Sequence, residues 1–287
     1  METSVPFNIA VELFIYLFLG LASLCLGLST TVTNVISVLK DKQLAQRALA
    51  ANILIPPVLA GVIGAVFPLE PPVQTVLWLL AFAPGGINAV QFSTKVPGQL
   101  ASAGALLFLL SAASLVTAPL AAMFLLPSGA AFSIPAGEIV FRAVLLVALP
   151  AAAGMAIRRT APELADKFYK PAMLISLLAF IASVVLSTEA RQQGLAQFGS
   201  PTNIAILLFI LGLMAVGWAL GGPDTGGRQM LAVSTNLRNV GLVYVLVDGC
   251  CDDGLLAAAV LGFMALMVIP NLILTVGCAV WRKRNAI

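Results

Sequence analysis

Long apolar runs separated by short polar stretches set the pattern of this chain. They fall at about 7–28, 47–66, 72–94, 99–125, 136–156, 171–189, 201–221, 229–247 and 255–280. Each is close to the ~20 residues that a helix needs to cross a hydrocarbon core of about 30 Å. The pattern predicts nine transmembrane helices in an all-α polytopic membrane protein; the long run at 99–125 is expected to tilt. The longest polar connections, 29–46, 157–170 and 190–200, leave no room for a separate soluble domain. Residues 1–287 therefore read as one transmembrane domain. Val32, Val35, Ile36, Val38 and Leu39 alternate with polar residues in the first connection, which suits an amphipathic helix lying on the inner surface. The start, Met1-Glu2-Thr3-Ser4-Val5-Pro6, has no basic region ahead of its apolar run, so that run reads as a retained span.

Two of these runs are interrupted by polar or helix-breaking residues. Pro84-Gly85-Gly86-Ile87-Asn88 divides the third. Proline lacks an amide hydrogen and glycine relaxes the backbone, so the helix is expected to open there and restart from Asn88 toward Thr94. Free amides at the restart would favour an anion. The plainer reading of that segment alone is a kink repaired by neighbours. Ser234-Thr235-Asn236-Leu237-Arg238-Asn239 interrupts the eighth run. On a continuous helix Ser234, Arg238 and Gly241 would share one face, and Thr235 and Asn239 the next. Dividing the chain at 126–135 gives a first repeat over about 7–125 and a second over about 136–280, with four spans followed by five. The interrupted span is then the last but one in each half, and the two run in opposite directions. That is the arrangement of an inverted repeat with two crossing broken helices around a midplane site.

Composition agrees with a membrane solvent. The chain is 60% hydrophobic and 9% charged, and its mean hydropathy is +1.04. The net charge of +3 matters through its distribution. With the N-terminus outside, 12 of the 15 Lys and Arg fall in cytoplasmic segments, which predicts an outside N-terminus and a cytoplasmic C-terminus. A bacterial inner membrane suits such a chain. There is no histidine, and the four cysteines lack metal-ligand spacing. No pair of buried carboxylates is evident either, so enzymatic chemistry and a bound metal or cofactor are not expected.

Arg238 is the one deep charge. A guanidinium at the centre of a membrane helix costs roughly 2.5–3.5 kcal/mol on insertion scales. It could pair with carbonyls exposed by the first break, or hold a carboxylate or sulfonate through its fork; the two roles are compatible. Asn52, before Ile53-Leu54-Ile55-Pro56-Pro57, and Asn271, after Pro270, are further polar residues inside spans. Either could equally make a helix–helix hydrogen bond.

From about Leu13 to Trp281 the chain resembles the bile acid:sodium symporter family. Ala83-Pro84-Gly85-Gly86 matches that family's Cys-Pro-Gly-Gly segment, and Arg238-Asn239-Val240-Gly241 its Gln-Asn-Ser-Gly stretch. The resemblance implies a core domain and a panel domain, alternating access, and transport of organic anions such as bile acids or small carboxylates, usually with two sodium ions. It retains Asn239 beside substrate, with Ile87 at a neighbouring position; together with the reading of the two breaks this gives Pro84, Gly85, Gly86, Ile87, Asn88, Arg238, Asn239 and Asn271 as candidate substrate-binding residues and Asn52, Ser234, Thr235 and Asn236 as a candidate ion site. Ser234 stands where the family has a sodium-binding glutamate, and Arg238 where it has a sodium-binding glutamine. A fixed cation and a sodium ion a few ångströms apart repel strongly in a low dielectric. The expectation is a secondary transporter of a small organic anion whose sodium coupling is weak or absent, with Arg238 as a tethered cation. The alternatives are a sodium-independent exchanger or uniporter of related fold, and a binding or sensor protein derived from one. The expected partners are the small anion and the lipid bilayer, with no nucleic acid.

Overall fold

The computed structural model of the chain describes residues 9–86, 89, 100–125, 136–248 and 254–285. No strand occurs among them, which suits a solvent that cannot pair with backbone groups. Helix α1 spans Ile9–Leu28. Two short helices come next, α2 over Val32–Lys40 and α3 over Lys42–Leu49, with Thr31 and Asp41 capping their first turns. Helix α3 runs through a π-helical turn, Ala50–Leu54, into α4, Ile55–Val66. Beyond it lie α5, Pro71–Ala81, and α6, Leu100–Leu125. Helix α7, Ala136–Ala143, passes through a second π-helical turn, Val144–Ala148, into α8, Leu149–Thr160. The chain is completed by α9, Pro162–Leu186, α10, Thr188–Leu220, α11, Thr225–Asn236, α12, Val240–Asp248, and α13, Gly254–Asn285.

Eight stretches among the described residues are long and apolar enough to cross a membrane. The third expected span contributes α5 here, and its continuation toward Thr94 lies outside the described residues. Two expected connections prove to be helical. Helix α8 reaches Thr160 and α9 starts at Pro162, so Ala161 alone separates them in place of a polar loop over 157–170. Helix α10 begins at Thr188 and includes residues 190–200. Pro171 and Pro201 lie inside their helices and do not start them. The physical reason is that an apolar run ends where side chains become polar, whereas a helix ends where backbone bonding fails. Exposed Lys167 and Lys170 extend α9 beyond its apolar part without breaking it.

Helix α1 packs chiefly on α8 and α9, while α10 packs on α11 and α13. Residues 229–247, through α11 and α12, are all buried, so this broken span is the centre of the molecule. The outward side chains of the surrounding helices are themselves apolar. Val58 and Val62 on α4, Leu174 and Leu178 on α9, and Ile273 and Val276 on α13 are all exposed, as a lipid solvent permits. The chain is an integral, multi-pass membrane protein.

Where α1 crosses α8 the backbones touch. A Cβ on Gly154 would overlap the Leu24 carbonyl oxygen, and one on Gly27 would overlap that of Ala151. Small residues allow this approach, and membrane helices associate through such packing. Gly154→Val is expected to separate α1 from α8 and cost about 1–3 kcal/mol, as overpacking does. Denaturant unfolding of the purified protein in mixed micelles would measure it; wild-type stability would show that the crossing yields freely.

Candidate functional site

Helix α5 ends at Ala81 because its next turn would need an amide that Pro84 lacks. In an α-helix the Leu80 carbonyl would accept from residue 84, and proline has no amide hydrogen to donate. Gly85 then takes a left-handed conformation, φ +67°, which favours glycine. Hydroxyls of α6 support the opened segment. Ser111 Oγ donates to the Gly85 carbonyl at 2.9 Å, and Thr117 Oγ1 to that of Phe82 at 2.6 Å.

The second interruption is also a true break. Helix α11 stops at Asn236 and α12 starts at Val240. The expected shared faces of Ser234 with Arg238 and Gly241, and of Thr235 with Asn239, therefore do not form, because a helical period cannot be carried across unwound backbone. Asn239 Oδ1 accepts from the Leu242 amide at 3.3 Å, capping the restarted helix, and its Nδ2 donates to Ser114 Oγ at 3.4 Å.

The two opened segments pair with each other. The Gly86 amide donates to the Leu237 carbonyl at 2.6 Å, and the Asn239 amide donates to the Ala83 carbonyl at 3.0 Å. This reciprocal pair satisfies groups that lipid could not. It requires glycine, since a Cβ at Gly86 would overlap the carbonyl oxygens of Leu237 and Arg238.

Arg238 is fully buried at this crossing, with 0% of its surface exposed. Its Nε donates to the Leu80 carbonyl at 2.8 Å, and Nη2 donates to the carbonyls of Ala81 at 2.8 Å and Asn52 at 3.0 Å. A longer contact of 3.5 Å joins Nη1 to Asn52 Oδ1. Two of the three acceptors owe their availability to proline. Helical donors to the Asn52 carbonyl would be residue 56 in an α turn or residue 57 in a π turn, and both are proline. Prolines thus remove the regular helical donors of the Leu80 and Asn52 carbonyls, and Gly85, which would serve Ala81, has left the helix; Leu80 also accepts from the Ala83 amide at 3.1 Å, and the guanidinium bonds all three. It also lies at the negative dipole end of α5.

No carboxylate pairs with Arg238 among the described residues, and no cluster of metal-ligating side chains occurs there. Several oxygens of the candidate ion site are engaged. Asn52 Oδ1 and three carbonyls face the guanidinium. Thr235 Oγ1 accepts from Asn52 Nδ2 at 3.3 Å, and Ser234 Oγ donates to Leu231 in its own helix at 3.1 Å.

Pro84, Gly85, Gly86, Asn52, Thr235, Arg238 and Asn239 therefore converge. Asn236 is buried, and neither of its amide atoms has a partner among the described residues. Asn271 is buried in α13, where its Nδ2 donates to Met267 of the same helix at 2.7 Å. Ile87 and Asn88 lie outside the described residues. The sequence reading missed Ser111, Ser114 and Thr117; their i, i+3, i+6 spacing on an apolar helix is the signal that marks one hydroxyl-bearing face. A cavity of about 110 Å³ adjoins the first break at Ser111, lined also by Leu26, Phe108, Ala112, Leu115, Val147 and Ala151. It lies between α6 on one side and α1 with α8 on the other.

Residues 15–198 match the family model described as the Sodium Bile acid symporter family. The match includes the first break and stops short of Arg238. No curated protein matches the chain.

Gly86→Ala is expected to prise the two opened segments apart, and Arg238→Leu to leave the buried carbonyls of Ala81 and Asn52 without this donor at about 1–3 kcal/mol each, while Leu80 keeps the Ala83 amide. Both variants should lose midpoint in thermal unfolding, more than Ser111→Ala, which removes one hydrogen bond. Equal midpoints for all three would contradict the crossing's central place.

Proposed function

The chain belongs to the sodium bile acid symporter family, whose members are membrane transporters rather than enzymes, and from that premise we propose that it carries a small organic anion, with the Arg238 guanidinium in place of a bound sodium ion. The observation that carries this reading is the set of hydrogen bonds from Arg238 to the carbonyls of Leu80, Ala81 and Asn52. A cation is fixed where two broken helices meet, and its neighbours offer it dipoles and no countercharge. The positive potential left over attracts a carboxylate or sulfonate. The fork itself is largely spent on carbonyls, so the anion would be held by potential and by groups around the crossing.

In this reading the chain is an inverted repeat of four and five spans, with the N-terminus outside and the basic end of the bundle in the cytoplasm. Helices α4–α6 with α10–α13 form a core, and α1 with α7–α9 forms a panel. The packing of α1 on α8 and α9, separate from that of α10 on α11 and α13, supports the division. Alternating access would rock one group against the other. The cavity of about 110 Å³ between them is below the roughly 300–1,000 Å³ of a typical ligand site, so an anion would enter when the groups part. Transport would proceed as uniport or anion exchange.

Uptake of labelled small organic acids into proteoliposomes, with sodium or potassium outside, tests this. The expected flux is equal in the two salts, and Arg238→Gln should lower it strongly and make the remainder rise with sodium. Wild-type flux confined to sodium would refute the tethered cation, as would an Arg238→Gln protein with undiminished, sodium-independent flux. Anion binding without flux in either salt would make the chain a binding protein.

A further inference from the structure

Away from the crossing, at the basic end of the bundle, a pocket of about 480 Å³ is lined by Thr31, Val32 and Thr33 beside Met155, Arg158 and Arg159. Arg158 is held in place there. Its Nε donates to the Leu28 carbonyl, and one terminal nitrogen pairs with Asp166 at 2.8 Å. Asp166 is the carboxylate paired at this site; two guanidinium groups against one carboxylate leave net positive charge. Arg159 is exposed at the rim.

The surface of α2 beside this pocket is divided into stripes. Val38 is buried against the bundle. Val32, Ile36 and Leu39, at i, i+4 and i+7, are 50%, 44% and 58% exposed. Thr33, Ser37 and Lys40 form a parallel exposed polar stripe. A helix with an unpartnered apolar stripe flanked by a polar one lies along a membrane interface, its apolar side toward acyl chains. The arginines thus stand at headgroup level, next to a surface fit for hydrocarbon.

We propose that this pocket binds the headgroup of an anionic phospholipid. Arg158 and Arg159 take its phosphate, and an acyl chain runs along Val32, Ile36 and Leu39. Charge complementarity selects the anion, since guanidinium forks match phosphate oxygens and a zwitterionic headgroup brings its own cation into competition. The adjoining apolar stripe selects a lipid over free phosphate. The site is separate from the transport site and does not depend on how the crossing handles ions.

The test is native mass spectrometry on the delipidated, full-length protein, titrated with phosphatidylglycerol, phosphatidylcholine or inorganic phosphate. Circular dichroism would confirm that each variant is folded. Phosphatidylglycerol should bind in preference to phosphatidylcholine. Arg159→Gln should weaken it about fivefold, the effect of one basic group near an anionic surface, and Arg159→Lys should restore most of that. Ile36→Ser should weaken the phospholipid and leave phosphate binding unchanged. Equal binding of the two phospholipids would overturn the proposal, and so would phosphatidylglycerol binding indifferent to Arg159→Gln. Phosphate binding as tightly as phosphatidylglycerol, with Ile36→Ser silent, would reduce the pocket to a site for free anions.

Discussion

A guanidinium with no carboxylate partner among the described residues, set among carbonyls at helix breaks, is the contact on which the centre of this protein rests. Each side of it would be unstable alone. An arginine in a membrane interior costs roughly 2.5–3.5 kcal/mol to insert. A buried carbonyl with no donor costs about 1–3 kcal/mol. Arg238 meets Leu80, Ala81 and Asn52 at 2.8–3.0 Å and offsets its own penalty together with those of Ala81 and Asn52. The same contact joins three parts of the chain distant in sequence: the end of α5, the π turn before α4, and the gap between α11 and α12.

The other features of the centre make that contact achievable. Pro84 ends α5 where its carbonyls can be reached, and Pro56 with Pro57 keep helical donors away from Asn52. Gly86 lets the opened segments pair through Leu237 and Ala83. Ser111 and Thr117 on α6 occupy the carbonyls of Gly85 and Phe82, which the guanidinium does not reach. Unwound backbone is thus distributed among three kinds of donor: amides of the partner segment, hydroxyls of a neighbouring helix, and one arginine. Under the proposed function the arrangement has a sense, because broken helices at the midplane are where such transporter folds handle charged solutes.

Much of this was legible in the chain. The apolar runs mark the spans, Pro84-Gly85-Gly86 marks the first opening, and the polar cluster around Arg238 marks the second. What was not legible has physical causes. Side-chain polarity reports the depth of a residue and not the end of its helix, so residues 157–170 and 190–200 read as polar connections although they are helical in α8, α9 and α10 apart from Ala161. The helical period was extended across Leu237, Arg238 and Asn239, where the helix stops. Asn52 was read through its side chain, whereas its backbone carbonyl takes one of the shorter hydrogen bonds from Arg238. The α6 hydroxyls escaped notice because a lone Ser or Thr in an apolar helix usually bonds its own backbone. Thr117 does so to Ala113 at 3.1 Å and also reaches Phe82.

Neutralising a charge with dipoles differs from neutralising it with an opposite charge. Peptide carbonyls stabilise the guanidinium but leave its full unit of charge in place, fixed to the backbone. A charge moved through the whole membrane potential exchanges about 2.3 kcal/mol with it for every 100 mV. Any displacement of the α5–α11 crossing along the membrane normal therefore performs electrical work in proportion to the distance travelled. Were the crossing to move in that direction during transport, Arg238 would couple the movement to voltage whether or not a solute is bound there.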